Sequence, residues 1–331
     1  MIFDTHAHYD DHAFDGDREA VLASLAEKGV GSVVDVAASV SSLERVKALA
    51  DTYDFVYGAV GLHPDEVGAH SREARSGAVF TCTADGVTRE EPVRGLTDMV
   101  YGRLRELLAD PKIVAVGEIG LDYHWDVEAH DLQIACFRKQ IGLALECGKP
   151  IIVHSRSAAQ DTLRVIEDMY GRGRSAAKVS RAEAERSLAP EEYSTVPGKE
   201  WVWRHEKAPG PGCHVAAKGI IHAYAYSLEQ ARIYTGLGFL IGVGGVVTYA
   251  NSKKLRKVVS EIPLEYLVLE TDCPYLAPEP LKGERNDSTC LRYVAEEIAR
   301  LRGISAEEVI RVTGENAERL FGVPTNTNGV G

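Results

Sequence analysis

Short apolar runs rich in β-branched residues alternate along this chain with longer segments whose apolar residues recur every three or four positions. The short runs predict strands and the longer segments predict amphipathic helices. Their alternation favours a parallel barrel or sheet of the α/β class. Eight predicted strands match the (β/α)8 TIM barrel, and they cover residues 2–6, 32–36, 56–61, 113–118, 151–154, 219–222, 239–243 and 266–272.

Two helical regions carry recognisable end signals. Residues 132–147 have helical periodicity, and Gly148 follows them at the position where glycine commonly ends a helix. Residues 288–321 predict two or three helices, one of which is capped by Ser305 with Glu308 at the capping-box position. These signals place helices after the fourth and the eighth predicted strands.

Two segments interrupt the alternation. Residues 66–97 and 171–217 lack sustained periodicity, and the second contains a cluster of proline and glycine. Both fall where a barrel has connections between strands and helices, so they predict loop insertions rather than separate domains. We therefore expect a single barrel domain over residues 1–322, followed by a flexible tail over residues 323–331.

The composition is that of a soluble globular protein. The 331 residues suffice for one large barrel, and no apolar run is long enough to span a membrane. The first residues lack the pattern of a secretory signal, and the six cysteines include no C-x-x-C pair. These features predict reduced thiols in the cytoplasm, or in the nucleus if the source is a eukaryote.

Six side chains that can bind metal ions lie at the carboxyl ends of predicted strands. In a barrel these ends open on one face, where active sites are built, so residues distant in sequence meet there. Imidazole and carboxylate ligands suit zinc, manganese or cobalt, and magnesium only with several waters. The predicted ligands are His6, His8, Glu118, His154, His222 and Asp272.

The histidines fall into two pairs. His6 and His8 form an H-x-H pair, and residues two apart on a strand point the same way, so both can reach one ion. Taken alone, an H-x-H pair is as typical of a surface or structural pair of histidines as of a metal site. His154 and His222 end consecutive apolar strands, although each taken singly is more typical of a hydrogen-bonded core histidine. Together with Glu118 they predict a second metal site.

The carboxylates carry the predicted catalysis. Glu118 follows an apolar strand, where a carboxylate is costly to bury unless it is paired or bound to metal. We expect it to bridge two ions, and an ion pair with a lysine or arginine is the alternative. Asp272 is expected to ligate one ion and to take a proton from the attacking water. Glu270 is expected either to orient a ligand histidine or, equally, to form a structural salt bridge.

His63 and Arg156 are the predicted contacts with substrate phosphate. His63 ends the third predicted strand and has no other ligand type near it in sequence. Arg156 follows His154 by two residues, and its guanidinium is a fork-shaped phosphate donor. Both are therefore expected at the mouth of the barrel as substrate-binding residues.

The ordered motifs resemble those of the TatD-type deoxyribonucleases of the amidohydrolase-like barrel superfamily. The resemblance runs from Met1 to about Phe321, apart from the two insertions. It is carried by Asp4-Thr5-His6-Ala7-His8, Gly61-Leu62-His63-Pro64, Gly117-Glu118-Ile119-Gly120-Leu121-Asp122, Ile152-Val153-His154-Ser155-Arg156, Leu269-Glu270-Thr271-Asp272-Cys273-Pro274, Lys282-Gly283-Glu284-Arg285-Asn286 and Gly314-Glu315-Asn316-Ala317.

The resemblance implies a two-metal phosphodiesterase that acts on DNA, often as an exonuclease that trims 3′ ends. The family's ligands map onto the six residues named above, with Glu118 as the bridging carboxylate and His63 helping to hold phosphate. DNA would be a transient partner, and we expect no membrane contact and no obligate protein partner for a monomer or dimer.

The chain departs from the family pattern at two places. Tyr226 stands where the family usually has glycine, so it is expected to narrow the site or to offer a base a stacking surface. After Asn286, the usual acidic–proline pair is Asp287-Ser288. The predicted metal ligands are intact.

The net charge limits how this protein can bind nucleic acid. The net charge of −12 opposes non-specific coating of nucleic acid, but it is compatible with an enzyme that binds DNA briefly in a locally positive, metal-lined cleft.

One alternative function is that of an amidohydrolase-type enzyme acting on a small amide, lactone or phosphotriester. Many such barrels bridge their metals with a modified lysine at the strand position that Glu118 occupies here, which favours the nuclease. A second alternative is a non-catalytic scaffold or binding barrel, which the complete ligand set disfavours.

Overall fold

Ten strands are present in the computed structural model, which describes residues 1–67, 79–84, 87–92, 98–124, 129–171 and 218–325. Eight of them form one parallel sheet in the order β1-β2-β3-β6-β7-β8-β9-β10, and β4 and β5 form a separate antiparallel hairpin. The strands are β1 (Ile2–Ala7), β2 (Val30–Val36), β3 (Val56–Val60), β4 (Val79–Ala84), β5 (Val87–Pro92), β6 (Ile113–Asp122), β7 (Ile151–Arg156), β8 (Gly219–Ile221), β9 (Phe239–Val243) and β10 (Leu267–Leu269).

Nine α-helices lie in the same described ranges, between and after the strands of the parallel sheet. The helix end signals are confirmed, because Gly148 adopts a left-handed φ of 67° after one helix and Ser305 accepts a hydrogen bond from the Glu308 amide at the start of another. The helices are α1 (Arg18–Ser24), α2 (Leu43–Thr52), α3 (Asp98–Leu108), α4 (His130–Cys147), α5 (Ala159–Tyr170), α6 (Leu228–Gly236), α7 (Lys253–Glu261), α8 (Leu291–Arg302) and α9 (Ala306–Phe321).

The sheet curves round until its first strand meets the segment that follows its last. Ala7 forms a parallel bridge with Cys273, and the Asp272 amide donates to the His6 carbonyl at 2.9 Å. The Thr5 hydroxyl donates to the Leu269 carbonyl at 2.9 Å. The predicted (β/α)8 TIM barrel is therefore confirmed.

The barrel interior explains which side chains reach its mouth. Ile152, Ile220 and Val268 belong to one buried apolar cluster, which also includes Phe321 at the end of α9. Successive residues on a strand alternate between its two faces. Positions two residues further along therefore continue on the same side, towards the carboxyl end of the barrel.

Two strand ends differ most from the prediction. The fourth barrel strand continues past Glu118 to Asp122, because it stays paired with β7 as far as Arg156. Glu118 therefore lies inside β6, and not at its end. The last strand is shorter than predicted and ends at Leu269, and beyond it Asp272 has a φ of +58°, which does not fit a strand.

The structure describes only part of the two predicted insertions and of the predicted tail. The hairpin of β4 and β5 lies within the first predicted insertion, and the rest of residues 68–97 lies outside the described residues, as do residues 172–217 and 326–331. Thr325 donates its amide to Glu318, and Ser32 donates to the Pro324 carbonyl. The single-domain assignment stays a prediction. Within the described ranges, no helix combines the length and the apolar character that crossing a bilayer requires.

Candidate metal centre

The predicted ligands converge at the carboxyl end of the barrel, although they come from five strands. β1 positions the H-x-H pair, and β6 and β7 hold one ligand each. His222 follows β8 directly, and Asp272 lies three residues after the end of β10. Within each of three sets of ligand atoms, every atom lies within 4.8 Å of the others. The sets are His6, His8 and Glu118; His63, Glu118 and His154; and His6, His222 and Glu270.

Glu118 lies at the centre of the cluster, and only 3% of it is exposed. Its Oε2 is 3.6 Å from His6 Nε2 and 3.9 Å from His63 Nε2. Its Oε1 is 2.8 Å from His154 Nδ1 and 3.6 Å from His222 Nε2. Burial would raise the pKa of this carboxyl, but the imidazoles, led by His222, hold it well below the usual value.

The alternative explanation for a buried glutamate finds no support here. No lysine or arginine among the described residues lies within 4 Å of the Glu118 carboxylate, so an ordinary ion pair does not account for its burial. Four imidazoles around one carboxylate instead form a set of nitrogen and oxygen donors that suits divalent transition metals.

His6, His8 and Asp272 form one side of the cluster. His8 Nδ1 donates to the Val36 carbonyl at 2.7 Å, which directs its Nε2 towards the centre. That Nε2 lies 3.1 Å from His6 Nε2 and 3.2 Å from Asp272 Oδ1. Burial alone would raise the pKa of Asp272, but the hydrogen bond from His8 and the nearby imidazoles lower it.

His154 and Asp122 form the opposite side. His154 Nδ1 faces Glu118, and its Nε2 lies 3.0 Å from Asp122 Oδ2. Asp122 is buried, and its Oδ1 accepts a hydrogen bond from the His124 amide. Both nitrogens of this imidazole therefore point at carboxylates.

Glu270 stands behind His222, as expected of an orienting carboxylate. Its Oε2 is 3.2 Å from His222 Nδ1, and its Oε1 accepts a hydrogen bond from the Ala223 amide at 2.6 Å. Because Nδ1 faces Glu270, Nε2 of the same ring is turned towards Glu118 and Asp272, at 3.6 Å from each.

His63 reaches the cluster in a form suited to donating a hydrogen bond. The Asp65 amide donates to its Nδ1 at 3.1 Å, so the proton of the neutral ring is on Nε2. Burial, together with the charge of His154, lowers the pKa of His63 to about 3, which keeps the ring neutral near pH 7. A neutral imidazole protonated on Nε2 can donate to an oxygen but offers that nitrogen no lone pair for a metal.

The two other residues named from the sequence lie nearby on the rim. Arg156 ends β7 and is exposed, and its contact with substrate stays a prediction. Tyr226 is half-buried, and its hydroxyl donates to the Ser155 carbonyl at 2.9 Å. This bond fixes the tyrosine against the strand that carries His154, where the ring occupies space beside the site.

A layer of hydrogen bonds beneath the cluster joins the first and last barrel strands. Asp4 Oδ2 accepts from the Thr271 hydroxyl at 2.6 Å and from the Ser288 hydroxyl at 2.7 Å. Its Oδ1 accepts from the amides of Thr271 and His6. Burial raises the pKa of Asp4 to about 7 despite these bonds. Ser288, one of the two departures from the family pattern, thus helps to hold the strand that carries His6.

Sequence reasoning gave no role to Asp122 or Asp4. For Asp122 a signal existed, since it lies four positions after Glu118 and residues two and four apart on a strand share a side. For Asp4 the signal was weaker, because only the folded barrel brings Thr271 and Ser288 against it.

The cluster predicts that metal binding releases protons. Burial favours neutral imidazoles, but the adjacent carboxylates outweigh it and raise the pKa of His8 and His154 to about 10 and that of His222 to about 9. Ligand nitrogens must lose their protons to bind metal. We therefore expect metal affinity to increase with pH up to about pH 9–10, where these imidazoles lose their protons.

Calorimetric titration of the metal-free protein with zinc, in buffers of different ionisation enthalpy, measures this proton release. His154→Ala should release fewer protons than the parent chain, whereas His12→Ala, which removes an exposed imidazole paired with Asp15, should release the same number. A binding heat that is identical in all buffers would contradict the prediction.

A family model described as "TatD related DNase" matches residues 3–322. The uncharacterized metal-dependent hydrolase YabD of Bacillus subtilis is 34% identical over 321 residues, which cover 97% of this chain and 99% of that protein. The similarity therefore extends over nearly the whole chain.

Solved structures agree with the fold. The crystal structure of YjjV, a TatD homologue from Escherichia coli, has a TM-score of 0.72 and 28% sequence identity, and the match covers 98% of both chains. A TatD-family hydrolase from Entamoeba histolytica has a TM-score of 0.67 at 17% identity over 97% of both chains, which supports the fold alone.

Proposed function

Because this chain belongs to the TatD related DNase family of metal-dependent hydrolases, we propose that it hydrolyses phosphodiester bonds of DNA as a 3′-to-5′ exonuclease. Two divalent ions per chain would support the reaction, with zinc, manganese or cobalt favoured over magnesium. DNA is then a transient partner, and no protein partner is required.

One observation carries the proposal. The buried Glu118 carboxylate has imidazole nitrogens on both of its oxygens, with His6 on one side and His154 on the other. Binuclear hydrolases need a ligand that reaches both ions at once, and a central carboxylate meets that need. The other five ligands assigned from the sequence lie around this carboxylate on both sides.

The donor set fits divalent metal ions. His6 and His8 bring two Nε2 atoms within 3.1 Å of each other, and both nitrogens also lie within 4 Å of Asp272 Oδ1. Buried polar atoms arranged in this way are costly unless a further partner satisfies them. His6, His8 and Asp272 would hold one ion, His154 and His222 the other, and Glu118 both. Such ions supply Lewis acidity, which neutralises phosphate charge and makes water more acidic.

Asp272 is the residue proposed to accept the proton of the attacking water. Its side chain is 21% exposed, against 5% for Glu118 and 1% for Glu270. Only a carboxylate that reaches the open side of the cluster can meet both water and substrate. Its lowered pKa keeps Oδ1 ionised at neutral pH and ready to take the proton.

His63 is proposed to bind a phosphate oxygen. Its Nε2 carries the proton of a neutral ring and points into the cluster near Glu118. A hydrogen bond from this atom would orient the scissile phosphate without adding a charge. Arg156, exposed at the end of β7, is proposed to add a charged contact.

A metal-dependence series with labelled single-stranded DNA tests the proposal. Protein freed of metal with chelator and then supplied with zinc, manganese, cobalt or magnesium should shorten a 5′-labelled strand stepwise. The same strand labelled at its 3′ end should release a labelled mononucleotide first. Metal analysis of the purified chain should find about two ions per chain.

Other results would identify other functions. If metal-loaded protein left DNA intact but hydrolysed a small amide, lactone or phosphotriester, the chain would be an amidohydrolase-type enzyme. If it bound no metal and hydrolysed none of these substrates, it would be a scaffold or binding barrel.

A further inference from the structure

A cavity of about 450 Å³ opens beside the candidate metal centre. One wall consists of Glu270, Thr271 and Asp272, so the cavity is continuous with the cluster. The start of α7 also contributes to the lining, through Lys253 and Lys254. Pockets of this size hold small-molecule ligands in other proteins.

Much of the remaining lining is apolar. Tyr224, Val246 and Leu276 line the cavity, and Leu276 is 40% exposed. A flat, weakly polar group such as a nucleobase can pack against surfaces of this kind. The lining therefore combines the carboxylates of the centre with apolar side chains and two lysines.

The two lysines are free to bind an anion. Both are exposed, and neither forms a hydrogen bond or ion pair with any other residue of the described ranges. Ser252, just before them, donates its hydroxyl to the Val246 carbonyl and does not cap the backbone amides that begin α7. In a chain with net charge −12, unpaired cations at the rim of the centre are where a phosphate would be attracted.

We propose that this cavity is a nucleotide subsite, in which Lys253 and Lys254 bind the phosphate next to the scissile one while the intervening base packs against Leu276. The proposal rests on the proposed function and deepens it. It assigns to the lysines the recognition of a strand with at least two phosphates. It also explains how an acidic protein attracts DNA locally.

The test compares two substrates in the metal-loaded, full-length protein. Bis(4-nitrophenyl) phosphate has one phosphodiester and so offers the lysines no second phosphate, whereas a short oligothymidylate does. For Lys253→Ala/Lys254→Ala, the ratio of kcat/KM on the oligonucleotide to kcat/KM on the small ester should fall by about tenfold, mainly through KM on the oligonucleotide. Loss of the one phosphate that the two lysines neutralise should also reduce the salt dependence of oligonucleotide binding by a slope of about 0.7.

A matched variant separates local contacts from net charge. Lys28→Ala/Lys257→Ala also removes two positive charges, and Lys257 is exposed on the same helix but does not line the cavity. This control should keep the parent ratio and salt slope. Lys253→Arg/Lys254→Arg keeps both positive charges at the cavity, so it should show the parent ratio and the parent salt slope. Thermal melting should confirm that all three variants fold.

The outcomes distinguish this inference from the proposed function. If the parent protein cleaves DNA but both alanine pairs change the ratio equally, the lysines act only through net charge and the subsite proposal is wrong. It is also wrong if neither pair changes the ratio. If the parent protein cleaves the small ester and not the oligonucleotide, the DNase proposal itself fails, whatever the lysines do.

Discussion

Replacing Asp272 with asparagine should lower the rate of metal-dependent hydrolysis by about 10²–10⁴-fold, the range expected for loss of a general base. Asparagine keeps the size of the side chain, but it cannot accept the proton of the attacking water. It also tolerates the positive φ of 58° at this position, so the backbone should stay in place. Steady-state kinetics with saturating metal and circular dichroism measure the two expectations separately.

A matched control is available on the same connection. Glu284 is exposed between β10 and α8, and Glu284→Gln also removes one carboxylate charge. It should retain the parent rate. His154→Ala should be folded and inactive as well, because it removes a ligand that faces Glu118 at 2.8 Å. A near-parental rate for Asp272→Asn would show that another group takes the proton.

The apolar runs predicted the barrel because each barrel strand is buried on both faces and therefore has a continuous hydrophobic stretch. Two histidines of the cluster could be predicted from the same strands, because Ile152 and Ile220 each lie two residues before a histidine on the same side of the strand. Five of the six ligands lie on a strand or one residue beyond its end, and their positions could be predicted from the sequence alone.

The residues that sequence reasoning left without a role depend on contacts between distant segments. The side chain of Asp122 acquires a partner because β6 continues beside β7, past a break in register between Val116 and Ile119 that no periodicity indicates. Ser288 contacts Asp4 only when the chain has closed the barrel. The lysines of α7 line the cavity beside the site, and α7 itself packs against α6 and α8, which the spacing of the lysines in sequence does not indicate.

The tightest backbone contact in the centre lies at Gly120. This residue pairs with His154 between β6 and β7, and it has a φ of +148°. A Cβ added here would lie 2.0 Å from the His154 carbonyl oxygen and 2.9 Å from its carbonyl carbon. Because both atoms belong to backbone, they cannot rotate away as a flexible side chain would.

We therefore expect Gly120→Ala to reduce the free energy of unfolding by about 3 kcal/mol or more, through strained φ and forced separation of two central strands. The same displacement should pull His154 away from Glu118, so residual folded protein should lose activity as well. Urea denaturation measures the first effect, and kinetics under native conditions measure the second.

Gly148→Ala isolates the cost of the positive φ alone. Gly148 has a φ of +67° after α4, and a Cβ there would meet nothing within 4 Å. Its substitution should cost about 1 kcal/mol and leave the rate unchanged, because the residue lies at a helix end away from the ligands. Equal losses of stability in the two variants would mean that β6 and β7 can separate at Gly120 without penalty. The glycine would then have no part in holding His154 against Glu118.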